Sequence, residues 1–371
     1  MNNKTIFTAE SVTKGHPDKF CDLVSDMILD DCLKLDPEAR VACETYATKG
    51  LVVVGGEITT TAKPDYKAIV QAAAGKVGYD LTGAELITAV NRQSPDIAQA
   101  VDKESQGAGD QGIMIGYATN ETPEYLPTEY AYARRITDRL SELRESGEIK
   151  GIGSDGKSQV SAEFEDGGFV RFTKIVVSIQ HTADKDAQKL KAEILKKVIG
   201  FVFRGFDLKD TEILINPSGR FILGGIDADT GLTGRKIVAD AYGPRIAVGG
   251  GAFSGKDASK VDRSAAYYAR YVSKNIVASG TADKCQVSIA YAIGKAEPLA
   301  VGIDTFGTGA VSDEIIQNAV MLIFNFAPAE IIKQLDLKQA IYTGTASGGH
   351  LGKDFTWERS DKADEIIKLL Q

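Results

Sequence analysis

Three strand-rich segments recur about a third of the chain apart: GLVVVGGEITT at 50–60, KIVVSIQHTADKD at 174–186 and CQVSIAYAIGKAEP at 285–298. Each leads out of a β-branched run into a polar stretch, the pattern of a strand ending at a turn. Helical periodicity falls between them. In KFCDLVSDMILDDCLKL, residues 19–35, Phe20, Leu23, Val24, Met27, Ile28 and Leu35 share one face, and Pro37 supports a stop nearby. Lys67–Lys76, AQKLKAEILKKVIGFV, RSAAYYARYVSKNIVASG, SDEIIQNAVMLIFNF and PAEIIKQL read as further helices, and FVRFTKIVVSIQ at 169–180 as a strand. This order predicts an α/β chain of the α+β type, with mixed or antiparallel sheets and helices on one face. The recurrence suggests three similar subdomains.

The 371 residues suit two or three domains. With 43 basic and 51 acidic side chains the net charge is -8. Such a chain has no general attraction for nucleic acid or an anionic membrane, so any anionic ligand needs a local cluster of cations. Cys21, Cys32, Cys43 and Cys285 lack metal-ligand spacing and read as buried thiols of a reducing compartment. The N-terminal stretch has no signal-peptide core, and no apolar run is long enough to span a bilayer. The expectation is a cytoplasmic protein that binds neither nucleic acid nor membrane.

GGGAFSGKDASKVD, residues 249–262, is almost a Walker A loop, but Asp257 stands where that motif needs Ser or Thr, and RIAV before it makes no long strand. Its glycines let backbone amides approach an anion. On a helix, Lys256 and Lys260 share one face, and Asp257 and Asp262 are available to hold a metal or orient a lysine. Two readings stay open here: a phosphate site of another kind, or a glycine turn before a solvated helix. GGIDADTGLTGRKIV, 224–238, sets Asp227 and Asp229 before a glycine turn and Arg235 and Lys236 after it, ahead of a possible strand. GHPDK places His16 and Asp18 where the first helix begins, as a phosphate donor with a magnesium ligand or as ordinary helix electrostatics. His181 and His350 have no local partners and are structural candidates. GGEIT, GAGDQG and GSDGKSQV add Glu57, Asp110, Asp155 and Lys157. NRQSPDIAQAVDKESQGAGDQG, 91–112, reads as a lid or a crossing between domains. Several cations, several aspartates and glycines at the joints are the inventory of a polyphosphate site with divalent ions.

GHPDK, ACETY, GGEIT, RQSPDI, GAGDQG, DGKSQV, INPSGRF, DTGLTGRK and GGGAFSGKD together resemble the S-adenosylmethionine synthetase family, in the family's order and over nearly the whole chain. The resemblance implies three α/β subdomains around a pseudo-threefold axis, divided here at 1–100, 105–222 and 223–371, with strand exchange between them allowed. It implies a homodimer or homotetramer with active sites at a subunit interface. ATP and L-methionine would be the substrates, with two Mg2+ per site and K+ as cofactors. His16 would sit on the triphosphate near the bond that breaks. Asp18 and Asp262 would hold magnesium, and Glu44 potassium. Glu57, Gln93, Asp229 and Lys260 would meet methionine. Asp155, Lys157, Arg220, Phe221, Asp229 and Ile293 would contact ATP. Arg235, Lys236 and Lys256 would grip the phosphates beside Ala252, and the loop at about 93–103 would gate access. His16, Lys157, Arg235, Lys236 and Lys256 would be the catalytic set.

The implied reaction is attack of the methionine sulfur on C5′ of ATP, then hydrolysis of the bound tripolyphosphate. The rival readings are a methionine-independent ATP or tripolyphosphate hydrolase and a noncatalytic nucleotide-binding regulatory partner. The sequence departs from the family in AESVTKGHPDK, with Thr-Lys where many members have Ser-Glu, and in a shorter link before QSPDI, over 78–92.

Overall fold

In this computed structural model, which describes residues 3–93 and 107–371, the strands form three sheets. One orders β1 (Lys4–Val12), β6 (Ile152–Glu165), β7 (Gly168–His181) and β8 (Glu212–Ile215) side by side. A second runs β11 (Ala300–Asp304), β10 (Lys284–Tyr291), β5 (Gly112–Thr119). The third runs β4 (Glu85–Asn91), β3 (Leu51–Thr59), β2 (Arg40–Thr48), β9 (Gly231–Leu232). Pairing is antiparallel except for β3 with β4 and β7 with β8.

Each sheet takes one strand from outside its own third of the chain. β1 pairs with β6, β5 with β10, and β9 with β2. β1 thus enters the sheet of β6 to β8, β5 that of β10 and β11, and β9 that of β2 to β4, so no sheet is built from one continuous stretch of chain. One long helix covers each sheet: α1 (Pro17–Leu35) packs on β2 and β9, α3 (Thr128–Glu145) on β6 and β1, and α5 (Val261–Ala278) on β5 and β10. The helix α2 (Tyr66–Val77) lies against α1. The chain is thus a mixed α/β fold with helices packed on mixed and antiparallel sheets.

The apolar stripe of α1 explains its placement. Phe20, Leu23, Val24 and Ile28 are buried, and Met27 packs at their edge. Leu35 differs from expectation. It is 72% exposed, because it is the last helical residue and overhangs the core. One core lies under α1 and α5 and includes Val24, Val54, Tyr268 and Val287. A second lies under α3 and includes Ile136, Leu140, Phe172 and Ile175. Each such side chain contributes about 2 kcal/mol on burial. The helix over 187–202, α4, is continuous, but a π-helical turn at Leu195–Ile199 interrupts its α-geometry.

The far face of the β4-β3-β2-β9 sheet is open. Leu232, Tyr46, Val53 and Ile87 pair in one row across it. Tyr46 is 38% exposed, Ile87 42% and Leu232 37%. Glu44 and Glu57 stand on the same face, opposite Gly55 and Ala42. All four cysteines are buried free thiols, and burial raises Cys32 and Cys43 to about 12. No single helix among the described residues is long and apolar enough to cross a membrane.

Candidate active site

Two groups of charged side chains gather at glycine turns. The first forms where α1 begins. His16 caps the helix: its Nδ1 accepts the Asp18 backbone N–H at 3.2 Å, and Pro17 opens the first turn. The ring is 3% exposed. Burial, then the ammonium groups of Lys236 and Lys157, lower its pKa to about 3. The imidazole is therefore neutral near pH 7. Because Nδ1 accepts a hydrogen bond, the proton is assigned to Nε2, which is left as a donor.

Asp18 is fully buried. It accepts the Leu232 N–H at 3.0 Å and the Lys236 ammonium at 2.6 Å, and Arg235 Nε lies 3.3 Å away. Burial works to raise its pKa, but the Lys236 hydrogen bond and the Leu232 N–H outweigh this and hold it below the usual range. Asp155 on β6 accepts the Gly225 N–H at 2.8 Å, and burial pushes its carboxyl up. Lys157 and Asp229 lie close enough to shift the titration of both His16 and Asp155.

Phe221 reaches this group through the backbone. Its N–H donates to His181 Nε2 at 3.1 Å, and Gln180 bridges Ile222 O and the Asp155 N–H. Arg220, next to it, is exposed. Ala252 abuts the turn before Arg235: a Cβ on Gly234 would lie 2.5 Å from its own. The chain after Lys236 forms a helical turn, Ile237–Asp240, rather than the strand expected there. The preceding turn is tied to α1, where Asp22 accepts the Gly234 N–H at 2.8 Å.

The second group lines a cavity of about 570 Å³ that includes Glu57, Gln93, Lys256, Lys260 and Asp262. Lys256 and Lys260 precede α5 instead of sharing its face, because the helix starts only at Val261. Each meets a carboxylate: Lys256 Nζ donates to Asp262 at 2.7 Å, and Lys260 Nζ to Asp257 at 2.6 Å. Asp257 also accepts the Val41 N–H at 2.6 Å. The residue that spoils the Walker pattern is therefore a buried anchor tying the loop to β2. Gly255 has φ 80°, and a Cβ there would come within 1.9 Å of Cys43 O. A Cβ on Gly251 would lie 2.2 Å from the Asp262 carboxylate. These two glycines permit the close approach, yet no strand leads into the loop.

Ile293 is 55% exposed. It neighbours the GAGDQG turn, because Gly294 N–H donates to Ala108 O and Ala108 N–H to Lys295 O, both at 2.8 Å. Asp110 of that turn lines the cavity together with Arg92. Asp110 belongs to the polyphosphate inventory of the sequence without a specific role, and Arg92 has none there. Most of the expected gate, 94–103, lies outside the described residues. His181 and His350 are both buried; His350 contacts the Tyr267 hydroxyl at 2.6 Å.

Among the described residues no three His, Cys, Asp or Glu side chains form a ready metal cage. Asp18 and Asp262 nevertheless offer hard carboxylate oxygens, one per group. That is the donor type magnesium takes alongside phosphate oxygens and water.

The fold and its charged turns define a three-sheet α/β protein that presents cations and carboxylates in pairs. Models of the S-adenosylmethionine synthetase N-terminal, central and C-terminal domains match residues 4–106, 105–221 and 223–359. The S-adenosylmethionine synthase of Mesoplasma florum is 48% identical over 376 residues, covering 98% of this chain and all of that protein. The chain belongs to the S-adenosylmethionine synthetase family, the methionine adenosyltransferases.

Proposed function

We propose that this protein joins ATP and L-methionine into S-adenosyl-L-methionine by attack of sulfur on C5′. It then hydrolyses the bound tripolyphosphate to phosphate and diphosphate. The observation that carries this reading is a repeated pair. Lys236 rests on Asp18 at 2.6 Å, and Lys256 rests on Asp262 at 2.7 Å. A magnesium–triphosphate entering both would exchange partners, each ammonium passing to a phosphate oxygen and each carboxylate to a metal ion.

The thioether of methionine is neutral and needs no strong base. The difficulty lies in the leaving triphosphate, whose charge must meet cations already in place. Lys157, Arg235, Lys236 and Lys256 supply them, and His16 Nε2–H faces the role of donor to the oxygen leaving C5′. Asp155, Arg220, Phe221, Ala252 and Ile293 would hold the nucleotide. Asp229 would touch both substrates. Glu57, Gln93 and Lys260 would align methionine, so that orientation lowers the barrier further. Two Mg2+ held by Asp18 and Asp262 would add positive charge against the phosphates, and Glu44 would hold K+. The same clamp serves the later phosphoryl transfer to water.

We infer further that the two groups complete each other across a twofold axis. Glu57 of the cavity shares the open sheet face with Glu44 and the exposed row Leu232–Tyr46–Val53–Ile87. A second copy docking there would cover apolar surface and meet the cavity rim. The division into three units at 1–100, 105–222 and 223–371 belongs to the same reading.

The deciding experiment supplies ATP, Mg2+ and K+ with and without L-methionine. S-adenosylmethionine should form only with methionine. Phosphate release that ignores methionine would favour the hydrolase alternative, and no turnover the regulatory one.

A further inference from the structure

We propose that Asp22 and Asp26 are positioning residues that fix both cation-bearing loops to one rigid helix; this rests on the reading of those loops as a phosphate clamp. Asp18, Asp22, Asp26 and Asp30 are four apart and share one face of α1. Each accepts a backbone N–H from a distant segment. Asp18 takes Leu232 at 3.0 Å, Asp22 takes Gly234 at 2.8 Å, and Asp26 takes Gly255 at 2.8 Å. Asp30 takes Tyr342 and Thr343 at 2.9 and 2.7 Å.

The two middle rungs meet the clamp. Gly234 immediately precedes Arg235 and Lys236. The other end of that segment is held as well: Lys19 of α1 reaches Asp22 at 2.9 Å and Asp240 at 2.6 Å, and the Asp240 N–H donates to Lys236 O at 2.8 Å. Asp26 forms a buried bidentate pair with Arg263, at 2.7 and 3.1 Å. Arg263 also donates to Lys256 O at 3.2 Å. The Asp26–Arg263 pair therefore grips the backbone on both sides of Lys256, through the Gly255 N–H and the Lys256 carbonyl.

Buried ion pairs are weak devices for stability, since packed apolar residues often serve as well. What a buried carboxylate does supply is direction. It binds a backbone amide at a fixed place, and a charge clamp needs its cations placed within about half an ångström. One helix carrying both anchors places the Arg235–Lys236 loop in one site and the Lys256 loop in the site completed across the twofold axis.

The molecule contains a matched control. Glu358 is also buried, takes Arg270 at 2.9 and 2.8 Å, and accepts the Gly352 N–H at 2.8 Å. Its loop carries no clamp residue. The test compares Asp22→Asn, Asp26→Asn and Glu358→Gln in the full chain, well below each thermal midpoint. It reads the Kd for inorganic tripolyphosphate with magnesium, the kcat, and the methionine KM. Asp22→Asn and Asp26→Asn should weaken tripolyphosphate about tenfold or more and lower kcat, with methionine KM within about twofold. Glu358→Gln should leave tripolyphosphate affinity within about twofold, even where its midpoint falls as far. Equal loss in Glu358→Gln, or none in the aspartate variants, overturns the proposal. If Asp26→Asn does not fold, Asp22→Asn carries the same comparison. A wild-type protein that binds tripolyphosphate yet makes no S-adenosylmethionine would instead overturn the proposed reaction and leave this test standing.

Discussion

The two charged groups carry the same chemistry and are held differently. Asp18 is fully buried and pinned by a backbone N–H, and the neutral ring of His16 is locked against it. Asp262 has a side chain 24% exposed, in an open cavity, and meets a Lys256 side chain that is 21% exposed, so this pair can part where its loop backbone is held. The first group is a rigid template and the second an adaptable jaw. The proposed clamp, with one buried and one partly exposed half, could be preset for the charge that develops and still admit a bulky nucleotide. This difference implies that damage to the jaw should reach activity with little cost in stability, whereas loss of the buried Asp18 from the template should reach folding too.

The largest expected effect tests the jaw. On the proposed reaction, Lys256→Ala should lower kcat/KM about 10³-fold, or roughly 4 kcal/mol, because one preplaced cation would be lost where triphosphate charge would develop. The thermal midpoint should barely move. Lys333→Ala removes a side chain that is 79% exposed and should change the rate less than about twofold. Equal rates for the two variants would remove Lys256 from the clamp. On the template side, His16→Asn should slow single-turnover S-adenosylmethionine formation about 10²-fold, with a smaller effect on tripolyphosphate hydrolysis. An unchanged first step would deny His16 its place at the leaving oxygen.

These two variants also ask whether the halves belong to one chain or two. Mixed and reassembled, they should recover activity in about a quarter of sites, since half the dimers are mixed and each of those rebuilds one intact site. Recovery would require that template and jaw come from different copies. A mixture no more active than its parents would place both halves within one chain. Stability gives a finer contrast. Asp18→Asn leaves Lys236 and the Leu232 N–H with a weaker partner in a buried place, and should cost about 2 kcal/mol in urea unfolding. Asp262→Asn loosens only a partly exposed pair and should cost about 0.5 kcal/mol. Similar losses would show that the jaw is as rigid as the template.

The sequence made these parts legible to different degrees. The helix at 19–35 and the strand at 50–60 were readable because a local stripe or a β-branched run sufficed. β1, β6 and α3 were not read. The segment IGSDGKSQVSAEFE is strand because β1 and β7 flank it, a fact about residues far away in the chain. α3 hides for another reason. Its buried face includes Glu129, Arg134 and Thr137, so no clean apolar stripe marks it. The glycine–cation turns of the site were visible as types and spacings. Their grouping into template and jaw was not, because it depends on strand exchange and on carboxylates such as Asp22 and Asp26 that look solvated in composition. Asp257 shows the limit most plainly: it reads as a broken motif, and its hydrogen bond to the Val41 N–H makes it an anchor.

A pH dependence tests the template's central claim, that His16 is neutral. An unfolded histidine titrates near 6.5, whereas the buried ring titrates at about 3. Between those values the unfolded chain takes up a proton that the native state refuses. Stability must therefore fall as pH drops through that window, by at most about 1.4 kcal/mol per pH unit for this group. His350, whose pKa burial also lowers, contributes with the same sign but is present in both proteins. Asparagine is a good helix cap, so His16→Asn should match the wild type at pH 7.5. At pH 5.5 it should hold its stability better by about 1 kcal/mol, read from paired urea midpoints. Midpoints that fall in parallel would mean that the ring charges freely in the native protein. The proton on Nε2 would then no longer follow from the accepting Nδ1, and the template would lose its one directed neutral donor.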